Sequence, residues 1–71
     1  MSAPTETQAF VGSKAIVRGE YAPATRMLRL WFTSAPAKAH DFPNVPPEVW
    51  RGLCQARSAG NFYNRNIRQY G

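Results

Sequence analysis

Pro43, Pro46 and Pro47 fall within five consecutive positions, and they divide the chain into two parts that cannot share one regular element. A proline gives no N–H to a sheet ladder, its ring is excluded from a helix interior, and it biases the residue before it to extended geometry. Any strand must therefore finish near Phe42. A helix can begin at Pro47, because the missing N–H has no intrahelical partner in a first turn. Strand signals precede this barrier and helix signals follow it, which is the order of an α+β domain. At 71 residues there is room for one small domain. Such a chain buries only about 60% of the surface that its unfolded form exposes, so its core is thin.

Arg26–Phe32 is the clearest strand. At period two, Leu28, Leu30 and Phe32 share one face, while Met27, Arg29 and Trp31 share the other. The second face mixes an arginine with a large aromatic, which suits either packing or binding. Lys14–Tyr21 predicts an earlier strand with Ile16, Val17 and Tyr21 as its apolar members. Gly19 inside it marks a bulge or a close backbone approach. Ala22–Thr25 is a turn with Pro23 in its second position. Thr33–Lys38 reads as a loop, since Pro36 argues against a central strand, and Ala39–Phe42 as a short third strand with His40 and Phe42 on one face. Residues 1–11, small and polar with Pro4, read as a flexible leader anchored at its end by Phe10 and Val11, and 12–71 as the single domain.

After the prolines the spacing turns helical. Val49, Trp50, Leu53, Cys54 and Ala56 recur at three- and four-residue intervals and form one apolar stripe. Glu48 lies where the helix dipole favours an anion, Arg57 lies toward the end where it favours a cation, and Gly60 is a stop. Asn61 is placed to cap a second short helix through Arg68, with Phe62 and Ile67 inward. The expected fold is α+β: a small antiparallel sheet of about three strands, covered by one main helix plus a short C-terminal helix. Ile16, Leu28, Leu30, Phe32, Val49, Leu53 and Phe62 are expected to be buried together, with Trp50 shielded and Trp31 more accessible.

Charge is distributed unevenly. The formal net charge is +5, of which residues 1–48 carry only +1. Arg51, Arg57, Arg65 and Arg68 give residues 49–71 a net of +4 with no acid at all. Arginine forms forked contacts to phosphate and carboxylate that lysine cannot, so a one-sided arginine segment points to an anionic partner, either nucleic acid or an acidic protein surface. Arg51 and Arg57 are six positions apart, about 240° around a helix at about 100° per residue, and cannot share a narrow stripe. A binding surface using both must be assembled from several elements.

Other classes are excluded by what is missing. Cys54 is the only cysteine, so there is no intrachain disulfide and no thiolate zinc site, and a reducing cytosol is the expected compartment. No apolar run approaches the roughly 20 residues of a membrane span, and the N-terminus lacks a signal-peptide pattern. The carboxylates Glu6, Glu20, Asp41 and Glu48 are scattered, and adjacent strand residues such as His40 and Asp41 point to opposite faces. No phosphate loop, zinc spacing or calcium loop is present. No enzymatic activity, cofactor or metal is expected.

The residues also carry a resemblance. Ser13, Ile16 and Tyr21, then Leu28-x-Leu30-x-Phe32, then Val45-Pro46, then Trp50, and above all Ala56-x-Ser58-x-Gly60-x-Phe62-Tyr63-Asn64-x-x-Ile67-Arg68-x-Tyr70 resemble the KTSC domain, over residues 13–70. That family is named for its occurrence at the C-terminus of some lysyl-tRNA synthetases and also occurs as free-standing small proteins. The resemblance implies a small sheet followed by helices, and RNA binding is a common suggestion for the family. The sequence departs from the family's Tyr-x-Tyr motif, with His40-Asp41-Phe42 in its place, and the loop before it lacks the usual Gly-containing turn. In size, basic charge and Ala/Arg-rich composition the chain is also similar to small phage transcription regulators that bind host RNA polymerase, including one from a Xanthomonas phage. The expectation is a monomeric, non-enzymatic phage or bacterial regulator in the (host) cytoplasm. It docks on the transcription machinery, RNA polymerase, through Arg29, Trp31, Arg51, Arg57, Arg65 and Arg68. The alternative is an RNA-binding module of the tRNA-synthetase-appendix type.

Overall fold

The computed structural model describes residues 4–70. Its elements run β1 (Glu6–Ala9), β2 (Ile16–Ala22), β3 (Met27–Phe32), β4 (Ala35–Phe42), α1 (Pro47–Gln55) and α2 (Ala59–Phe62). The chain then continues through a wide π-helical turn at Tyr63–Ile67 and a 3-10 turn at Arg68–Tyr70. The strands form one antiparallel sheet in the order β1-β2-β3-β4. The α+β architecture stands, with four strands where the sequence suggested about three.

The additional strand comes from the segment read as a leader. Glu6–Ala9 pairs with Arg18–Tyr21, Phe10 packs against the core, and Val11 is 96% exposed. The leader is therefore paired into the sheet at Glu6–Ala9, and its end is anchored by Phe10 and not by Val11; its first three residues lie outside the described residues, as does Gly71. Polar Glu-Thr-Gln carried no strand signal because β1 is an edge strand whose exposed side chains need no apolar alternation.

The loop expected at Thr33–Lys38 is shorter. Thr33 and Ser34 make the turn, and β4 runs from Ala35. Pro36 is tolerated because β4 is the opposite edge and because the β3–β4 register shifts beside it: Phe32 pairs with Ala35, but Trp31 pairs with Ala39. The Pro23 turn closes as expected, with Thr25 N–H donating to the Ala22 carbonyl at 3.2 Å. Arg26 follows in the left-handed region (φ 57°), an uncommon conformation for a non-glycine residue.

α1 begins at Pro47 as the prolines dictate and ends at Gln55, so Arg57 lies beyond it rather than in its last turn. Gly60 is inside α2 rather than a stop. The cap of α2 is Ser58, whose Oγ accepts from Asn61 N–H at 3.3 Å; Asn61 is therefore a first-turn residue and not the cap.

The helices cover one sheet face. Ile16, Tyr21, Leu28, Leu30, Phe42, Val45, Trp50, Leu53, Ala59 and Ile67 form the buried core. Of the expected set, Phe32, Val49 and Phe62 are only half-buried and pack around it. Trp50 stacks on Tyr21 at 5.8 Å between ring centroids and lies over Gly19. A Cβ at Gly19 would sit 2.8 Å from Leu30 Cδ2 and 3.0 Å from Trp50 Cζ3, so the close approach expected at this glycine is real. The Tyr21 hydroxyl donates to the Val45 carbonyl at 2.6 Å, tying the proline-rich segment between β4 and α1 to β2.

Candidate functional site

The six residues picked from the sequence as a binding surface divide between two sides of the molecule. Arg29 and Trp31 lie on the sheet face opposite Leu28 and Leu30, away from the helices. Arg51, Arg57, Arg65 and Arg68 belong to the helical layer, and all four are exposed. The structure does not bring the two groups together.

On the open sheet face, Arg29 Nε donates to Asp41 Oδ1 at 2.9 Å, and Glu20 faces Arg29 from the other neighbouring strand. Its charge is already compensated. Trp31 is half-buried because Arg18, its cross-strand partner, places its guanidinium 4.1 Å from the indole centroid. Arg18 was not singled out in the sequence. Its pairing depends on the irregular register between Ile16 and Arg18, for which strand periodicity gives no signal.

On the helical side the arginines have no such partner: Arg29–Asp41 is the one ion pair among the described residues. Arg65 and Arg68 are three residues apart on consecutive turns, near enough to present neighbouring charges. Arg57 faces a different way. It lines an open cleft of about 870 Å³ between the Gln8–Ala15 segment and the stretch from Cys54 to Asn64. Ser13, Lys14, Ser58, Asn61 and Asn64 share its walls, and no carboxylate does. The Cys54 thiol also borders it, and burial, with a smaller contribution from Glu6, pushes its pKa up. A raised thiol pKa keeps the sulfur protonated and unreactive at neutral pH. His40 packs edge-on against Phe32 at 5.0 Å, while Asp41 is engaged on the opposite face.

A family model for the KTSC domain matches residues 12–70. The chain belongs to the KTSC domain family. A solved crystal structure of a KTSC domain protein from Yersinia pestis is similar, with a TM-score of 0.74 and 26% sequence identity, covering 86% of this chain and 82% of that one. No curated protein matches the chain.

Most residues of the KTSC-like pattern have an evident structural task here. Ser13 Oγ accepts from Ala15 N–H (3.2 Å) and Ile16 N–H (3.1 Å), bracing the entry to β2. Tyr21 and Val45 bond to each other, Ser58 caps α2, and Ile67 is fully buried. Gly60 allows α2 to meet the loop before β2, since a Cβ there would lie 2.9 Å from Ala15 Cβ. Tyr63 contacts both Phe32 (5.1 Å) and Phe42 (5.7 Å) edge-on, so at the His40-Asp41-Phe42 departure β4 brings rings without hydroxyls to this aromatic cluster. Asn64 is the exception. Among the described residues its side chain makes no hydrogen bond; it is Asn66 that braces the turn, donating to the Phe62 carbonyl at 3.3 Å. Asn64 is exposed on the cleft wall.

Proposed function

We propose that this KTSC domain protein acts by binding rather than catalysis, docking the arginines of its helical layer on an acidic surface of a larger assembly. The observation that carries this reading is the charge pattern: Arg51, Arg57, Arg65 and Arg68 are exposed and unpaired among the described residues, whereas Arg29 is neutralised by Asp41. Arginine is enriched at interfaces, and its planar fork matches carboxylates. The transcription machinery, RNA polymerase in particular, is the candidate assembly, on the chain's likeness in size and charge to small phage regulators.

Direct RNA recognition is the second reading, and the aromatic residues weigh against its usual form. Single-stranded RNA is held by stacking bases on free ring faces. Here Tyr21 is fully buried, Tyr63 is wedged between Phe32 and Phe42, and Trp31 carries Arg18 on its ring. The test is binding to purified RNA polymerase and to RNA by the parent and by the double charge reversal R65E/R68E. Loss of about 2–5 kcal/mol of polymerase affinity is expected if these arginines are desolvated opposite acids, with folding changed by less than about 0.5 kcal/mol. A normally folded double variant that binds at full strength would remove the arginine surface from the mechanism. RNA binding with a steep salt dependence and no polymerase binding would transfer the function to RNA.

A further inference from the structure

We propose that the cleft between the Gln8–Ala15 segment and α2 is a binding site for a phosphate ester of about nucleotide size, sharing only Arg57 with the docking surface and leaving Arg51, Arg65 and Arg68 outside it. Its volume of about 870 Å³ falls in the range of roughly 300–1,000 Å³ typical of small-molecule sites. The chemistry of its walls is one-sided. Lys14 and Arg57 supply two cations, one from each wall; Asn61 and Asn64 supply amide donors; and no Asp or Glu lines the space.

The two serines reinforce the bias toward donors. Ser13 Oγ already accepts two backbone N–H groups, and Ser58 Oγ accepts one. A hydroxyl has one proton and two lone pairs, so the ungiven group at Ser13 is its O–H, positioned on the cleft wall. An oxyanion with several acceptor atoms satisfies such a set, and a forked guanidinium with an ammonium is a recurrent phosphate clamp. The apolar part of the wall, Phe10, Ala15 and Ala59 among others, suits the uncharged portion of a larger ligand. Asn64, a residue of the family pattern with no hydrogen bond of its own among the described residues, acquires a task in this site. Gly60 and Ala15, in contact distance of a missing Cβ, set how closely the two walls meet.

The test is a titration of the isotope-labelled full chain with inorganic phosphate, AMP and a short single-stranded ribo-oligonucleotide, followed by amide chemical shifts, with the side-chain NH₂ signals of Asn61 and Asn64 as reporters. Saturable shifts confined to residues 13–15 and 57–64 are expected with AMP. A free nucleotide is the source if AMP binds at least as well as the oligonucleotide, and a chain phosphate if the oligonucleotide alone saturates the same residues. K14Q/R57Q should weaken binding roughly tenfold or more, as loss of charge-assisted contacts requires, and R68Q should leave it unchanged. The proposal is overturned if no phosphate compound produces saturable shifts at these residues, or if K14Q/R57Q, with a parental spectrum elsewhere, binds as the parent does. Because R65E/R68E leaves every cleft residue in place, the docking surface and the cleft fail or survive separately.

Discussion

The two faces of the sheet are built from alternate residues of the same strands, yet they are held by different forces. On the covered face, Tyr21, Leu28, Leu30 and Phe42 are buried under Trp50, Leu53 and Ile67. On the open face, Arg18 lies on Trp31 and Arg29 pairs with Asp41 at the surface. Apolar burial contributes roughly 25 cal/mol per Å² removed from water, while an exposed ion pair contributes about 0–1 kcal/mol. Folding therefore rests on one face, and the other is available for change or for function.

The largest effect that would break this contrast is at Leu30, fully buried and in contact distance of any atom added at Gly19. Leu30→Ala should cost about 2–5 kcal/mol, a large fraction of a small domain's stability. Thermal or urea unfolding measures it. A variant that melts like the parent would mean that the covered face is not the core.

Tyr21→Phe sharpens the comparison on the same face. It keeps the ring that stacks on Trp50 and removes only the hydroxyl that the Val45 carbonyl accepts. A buried carbonyl left without its donor costs about 1–3 kcal/mol. The variant also has a pH signature. Burial is the main cause that raises the Tyr21 phenol above its ordinary 10.0. The unfolded chain therefore loses this proton first as pH rises, and the folded state loses stability from about pH 10 upward through the folded pKa. Below pH 10 the hydroxyl's contribution is fully present. Denaturant titrations from pH 8 to 11 should show a falling alkaline limb in the parent that is shallower in Tyr21→Phe. Equal limbs would assign the alkaline loss to another group, Cys54 being the next whose pKa is raised.

The same contrast explains what was legible in the sequence. Leu28, Leu30, Trp50 and Leu53 announced themselves because burial imposes period two on strands and three-to-four spacing on helices. The proline barrier placed the start of α1 to the residue. β1 was not legible, because an exposed edge strand is specified by pairing with β2 rather than by its own side chains. β4 was foreshortened because Pro36 is a poor strand residue everywhere except at an irregular edge. The candidate site was legible as charge and not as place. Arg51, Arg57, Arg65 and Arg68 stood out as an acid-free run, but the cleft that Lys14 and Arg57 both line exists only because the loop before β2 approaches α2. Arg29 looked available until the β3–β4 register set Asp41 opposite it.

The smallest expected effect is at Arg18, and it tests the open face directly. Its guanidinium lies 4.1 Å from the Trp31 ring centroid, and an exposed cation–π contact contributes about 0.5–1 kcal/mol. Arg18→Ala should therefore lower stability by no more than about 1 kcal/mol while uncovering one side of the indole. The two tryptophans separate this from general loosening. Trp50 is only 2% exposed and donates its Nε1–H to Glu6 Oε1 at 3.2 Å, so its environment belongs to the covered face. In single-tryptophan backgrounds, acrylamide quenching of Trp31 should rise on Arg18→Ala and that of Trp50 should not. A rise at both would show that the open face contributes to the core after all. No rise at Trp31 would mean that its shielding comes from the strand neighbours and not from the arginine, leaving the ring no more accessible to a partner than it is now.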